Sequence, residues 1–98
     1  MGKRKVSILE PASESVAEIG FFIENKGMPL TAKKFVEDMF SFFETLADDR
    51  IIHKPCNYNN VWKYLDYRCL TYKKYVIAYL IQPNEIIICE CVPSKILK

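Results

Sequence analysis

The sequence predicts an α+β domain: a helical hairpin packed on one face of a small antiparallel sheet, in the order β-α-α-β-β-β. Helical periodicity fills the first half of the chain. The last third, residues 67–92, is dense in β-branched and aromatic residues and reads as three short strands joined by two turns. A run of helices followed by a run of strands is the pattern of an α+β layer architecture.

Residues 3–9 alternate loosely and stop at Glu10-Pro11, which suits a first strand. Ser13 or Ser15 can cap the helix that follows, and Ser15-x-x-Glu18 has capping-box spacing. Val16, Ile19, Phe22 and Ile23 form its apolar stripe, and Asn25-Lys26-Gly27 ends it, with Gly27 free to adopt positive φ. Met28-Pro29 is an elbow, and Thr31 is the expected N-cap of a second helix running to about Asp48. Its stripe of Phe35, Met39, Phe42 and Leu46, widened by Val36, Phe40 and Phe43, is broad enough to touch both the first helix and a sheet. So short a link makes the two helices antiparallel neighbours. Residues 49–60 lose periodicity and read as a loop, with strands expected from Val61 or Trp62 onward. Residues 75–81 and 85–92 are the clearest strands, joined through Gln82-Pro83-Asn84.

The 98 residues are expected to form a single domain, 1–98, and at 50% apolar they can build a core without staples. The net charge of +2 is modest, but its distribution is uneven. Lys54, Lys63, Arg68, Lys73 and Lys74 mark the sheet half, whereas Glu37, Asp38, Glu44, Asp48 and Asp49 mark the second helix. A basic face for an anionic partner and an ordinary solvated surface both stay open. No stretch is long and apolar enough to span a membrane, and Lys3, Arg4 and Lys5 precede no apolar signal region. A cytoplasmic location is therefore expected, and with it reduced cysteines rather than disulfides.

Cys89 and Cys91 are expected on one face of their strand. With Cys56 and Cys69 they supply four thiols, but Cys-x-Cys within a strand is a poor zinc motif. Buried thiols acting as small apolar groups are expected, and no metal or other cofactor. His53, the sole histidine, reads as a surface-loop residue with no acid nearby in sequence to orient it. Trp62, Tyr64, Tyr67 and Tyr72, interleaved with Arg68, Lys73 and Lys74, form the candidate binding surface. Aromatics that stack on bases, aromatic and arginine hot spots for a protein, and tyrosines that merely favour strands all fit it.

Ala12, Val16, Ile19, Phe22, Ile23, Pro29, Ala32, Phe35, Met39 and Leu46, with Tyr67-Arg68, residues 75–79 and residues 86–88, resemble the apolar and closing-strand positions of the RelE/ParE superfamily. These are toxins of bacterial toxin–antitoxin and plasmid-stabilisation modules. The resemblance implies a small toxin neutralised by a cognate antitoxin that wraps its surface. It also implies one of two targets. RelE-like members cleave messenger RNA on the ribosome; ParE-like members inhibit DNA gyrase without known cleavage. Where the nucleases carry an arginine after the tyrosine corresponding to Tyr75, this chain has Val76. Where they carry further basic, histidine or tyrosine residues near the end, it has Cys89-Glu90-Cys91-Val92-Pro93-Ser94-Lys95. The expectation is thus a ParE-like toxin that binds a protein target, with no catalytic residue assigned. A nuclease using Lys63, Arg68 and Lys73, or a non-toxic binding module of the same fold, is the alternative.

Overall fold

The computed structural model describes residues 4–48 and 53–97. Its elements are β1 (Lys5–Ile8), α1 (Glu10–Asn25), α2 (Pro29–Thr45), α3 (Asn60–Tyr64), β2 (Arg68–Tyr72), β3 (Tyr75–Gln82) and β4 (Glu85–Pro93), followed by a 3₁₀ turn at Ser94–Leu97. The expected start of the first strand at Lys3 and the opening of the loop, residues 49–52, lie outside the described residues.

The four strands form one sheet in the order β1-β4-β3-β2. β2, β3 and β4 are antiparallel neighbours, while β1 lies parallel to β4, so the sheet is mixed. The α1–α2 hairpin covers one face. Phe35, Met39, Phe43 and Leu46 of the α2 segment meet Ile77, Tyr79, Ile86, Ile88 and Cys91 of the sheet in one buried cluster, which Ala12 and Val16 of α1 complete. Phe35 meets Tyr75 edge-on with ring centroids 5.5 Å apart, and Phe42 stacks on Tyr72 at 4.0 Å.

Both long helices begin earlier than their expected caps. α1 starts at Glu10 with Pro11 in its first turn, and Ser13 sits inside, its hydroxyl donating to the Glu10 carbonyl at 3.2 Å. α2 starts at Pro29, which places Thr31 within its first turn. In both, a proline pre-set for helical φ marks the start more strongly than the hydroxyl residues after it. Gly27 takes the expected positive φ, +86°. The strand expected from Val61 is instead α3, begun by Asn59, whose side-chain oxygen accepts from the Trp62 N–H at 2.8 Å.

Phe22, expected in the buried stripe of α1, is 59% exposed. The close contact between α1 and α2 is made by Gly20, where a built Cβ would stand 2.7 Å from Val36 Cγ2. Gly20→Leu is therefore expected to destabilise the domain by about 1–3 kcal/mol through overpacking. Gly20→Ala should lie nearer neutral, because a helix-propensity gain of about 1 kcal/mol offsets part of the clash. Urea midpoints of the two variants check this, and equal midpoints would contradict it.

Cys89 and Cys91 are free, buried thiols as expected, but two other cysteine expectations need correction. Cys56 and Cys69 are joined by a disulfide, their Cα atoms 4.9 Å apart. Residues 54–56 pair with residues 67–69 like a short extra strand: the Cys56 N–H donates to the Tyr67 carbonyl at 2.8 Å and the Cys69 N–H to the Lys54 carbonyl at 3.1 Å. That pairing sets the two cysteines at bonding distance, which no sequence spacing reveals. Cys89 and Cys91 also part company. A bulge opposite Ala78 and Tyr79 leaves Cys89 without a partner position in the register. Cys91 enters the core beneath the helices, whereas Cys89 lies beside the Tyr67 hydroxyl. Burial raises both thiols, Cys91 to about 11, so neither is a ready nucleophile.

Candidate binding surface and the His53–Tyr79 pair

The residues proposed as a binding surface fall into two groups at opposite ends of β2. Trp62, Tyr64, Tyr67 and Arg68 lie at its start, on and just after α3; Tyr72, Lys73 and Lys74 lie at its end. Arg68 and Lys73 lie five positions apart, about 16 Å along extended backbone.

At the first end, Trp62 packs between Tyr58 and Tyr67, with ring centroids 6.4 and 6.3 Å away. Tyr64 is 86% exposed, and Lys63 is exposed beside it. The Tyr67 hydroxyl is pushed up to about 12, first by burial and then by Cys89 and Glu90, so it stays protonated and can only act as a neutral hydrogen-bonding group. At the second end, Lys73 occupies the β2–β3 turn with φ +58°. Its ammonium lies 3.9 Å from Asp38 of α2 and 5.5 Å over the Tyr72 ring, so it also ties the turn to the helical layer. Lys74 lines a cleft of about 500 Å³ together with Glu18, Ile19, Phe22, Tyr75, Pro93 and Lys95. Apolar walls with two lysines against one glutamate suit an amphipathic segment of net acidic charge.

Lys63, Arg68 and Lys73, the alternative catalytic set, do not converge. Arg68 is turned to the His53 carbonyl, to which its Nη1 donates at 3.2 Å.

His53 itself has a partner that the sequence reading lacked. Its Nδ1 lies 2.7 Å from the Tyr79 hydroxyl, and its backbone N–H donates to the same oxygen at 3.3 Å. Tyr79 is fully buried, and the charges of Arg68 and Arg4 both act on its hydroxyl. Twenty-six positions part His53 from Tyr79, and a strand tyrosine offers no local signal of a polar role. Burial lowers the His53 pKa, so the folded form favours the neutral ring, whose Nδ1 in the Nε2–H tautomer accepts the tyrosine proton.

A histidine with a depressed folded-state pKa stabilises fully above its unfolded value of about 6.5 and loses that contribution as the pH falls through this value toward the folded one. Stability is thus expected to decline between about pH 7 and pH 5 more steeply in the wild type than in His53→Asn. Urea titrations across that range check it, and parallel slopes would count against the pair.

Against this geometry, the sequence matches the family model of the ParE toxin of the type II toxin–antitoxin system, parDE, over residues 6–91. That span runs from β1 through β4 and takes in both ends of the candidate surface. The chain belongs to this family. No curated protein matches it. Membership makes the chain a toxin component of a type II module with an antitoxin as its partner. It also gives the exposed apolar groups on this ParE-family hairpin a context. Phe21 and Phe22 of α1 and Leu30 of α2 are 65%, 59% and 82% exposed. No helix among the described residues is long and apolar enough to cross a membrane.

Proposed function

We infer that this ParE-family toxin acts by binding a protein target, of which DNA gyrase is the leading candidate, and performs no cleavage itself. The observation that carries this reading is the dispersal of its cations. RNA cleavage needs a base, a proton donor and positive charge around one phosphate. Here Lys63 stands on α3, Arg68 is bonded to a backbone carbonyl, and Lys73 is held by Asp38 at the far end of β2. The one histidine leans on a buried tyrosine rather than on an open phosphate site.

The antitoxin would take the apolar cleft between α1 and the β3–β4 end, where Lys74 and Lys95 favour an acidic, amphipathic helix. An antitoxin strand would fit the outer edge of β2 at residues 70–72, because residues 54–56 already occupy the edge at its start.

Induction of the chain alone in a bacterial host tests the reading. Growth arrest relieved by the neighbouring gene, with loss of plasmid supercoiling by purified gyrase and intact messenger RNA, is the expected result. Ribosome-dependent RNA cleavage would move the assignment to the nuclease branch. Normal growth with soluble protein would point to a binding module without toxicity.

A further inference from the structure

Among the described residues, 53–66 are joined to the rest of the domain by few attachments. Two backbone hydrogen bonds join residues 54 and 56 to β2 and the residue before it; His53 adds two to the Tyr79 hydroxyl, Arg68 adds one to the His53 carbonyl, and Cys56 alone is buried. α3 buries none of its residues, and Tyr58, Val61, Tyr64 and Leu65 are exposed. By contrast, Val76, Ile77, Ala78 and Tyr79 of β3 are all fully buried. A segment so thinly packed belongs to the low-stability end of a fold and opens readily unless tethered. Its covalent tether is the Cys56–Cys69 bond, placed where the segment meets the sheet.

We propose that this disulfide is a redox clasp. When a dithiol reduces it, residues 53–66 leave β2 and the Trp62–Tyr67 platform comes apart, while the helical hairpin and the β3–β4 core stay folded. One reductant thiolate attacks Cys69 Sγ, the half-buried partner, forming a mixed disulfide and releasing the Cys56 thiolate. The reductant's second thiol then closes on the first, freeing Cys69. The dithiol becomes a disulfide, and the protein gains two electrons and two protons. The aromatic end of the candidate surface is thereby present in the oxidised chain and lost in the reduced one. The clasp does not rest on which target that surface takes.

Trp62 is the only tryptophan of the chain, so its emission reads the platform directly. The full-length oxidised protein is compared before and after dithiothreitol by Trp62 fluorescence and amide hydrogen exchange, with thiol labelling to confirm reduction. The expected result is a red shift of emission and complete loss of exchange protection in residues 54–66, while residues 76–92 stay protected and speed up only by the factor that the loss of global stability sets. The Cys56→Ala/Cys69→Ala variant should show the reduced pattern with or without dithiothreitol; if it fails to fold, the wild-type comparison decides alone. Unchanged exchange after confirmed reduction would overturn the clasp. So would complete loss of protection in β3 and β4 as well, or an air-oxidised protein in which all four cysteines are free.

Discussion

Phe43→Ala is expected to cost about 3–5 kcal/mol, the range for emptying a fully enclosed aromatic site. Phe43 has no exposed surface, meets Phe40 edge-on at 5.7 Å, and belongs to the cluster that joins α2 to the sheet. A domain of this size has about 5–15 kcal/mol in all, so the variant should be marginal or unfolded near body temperature. Phe22→Ala makes the contrast. With 59% of Phe22 exposed, its stability change should stay within about 0.5 kcal/mol. Thermal unfolding of both variants checks this. A Phe22 variant as damaged as the Phe43 variant would mean that the outer face of α1 is covered in the working protein.

Removing the Cys56–Cys69 bond by double alanine substitution is expected to lower global stability by about 3 kcal/mol, from the restriction that a loop of this length imposes on the unfolded chain. The two cysteines are 13 positions apart. This loss differs from the local release described above: it is read from the urea midpoint of the whole domain against oxidised wild type, whereas the clasp is read from exchange under native conditions. Wild type in excess dithiothreitol should move to the variant's midpoint. If oxidised and reduced proteins unfold at the same urea concentration, the bond contributes no stability.

Much of the fold was legible because it rests on local signals. The stripe Phe35, Met39 and Leu46 and the β-rich runs around Ile77 and Ile88 follow from periodicity, and all five residues reach the core. Gly27 and the Pro83-Asn84 turn follow from backbone preference. The errors came where two signals competed or where distant segments met. Pro11 and Pro29 outrank Ser15 and Thr31 as helix starts. The aromatic run from Val61 to Tyr64 has strand composition, but Asn59 caps it as a helix. Phe22 keeps helical spacing yet faces outward, because the hairpin crosses at Gly20 and turns that side away from α2. The disulfide and the His53–Tyr79 pair depend on residues 54–56 returning to β2, a long-range pairing with no sequence period. For the candidate surface, composition named the residue types, but only the strand's length divides them between its two ends.

The place of β1 bears on when the toxin comes into being during its own synthesis. Among the described strands its one hydrogen-bonded neighbour is β4, with Lys5 opposite Glu85 and Ile8 opposite Ile88. The first strand made must therefore wait for the last. At roughly 5–20 residues per second, translation holds β1 without its partner for several seconds. The sheet closes only as β4 emerges, so a nascent chain halted before residue 85 lacks this pairing altogether. An antitoxin already folded nearby would thus meet the finished toxin at the moment of its completion.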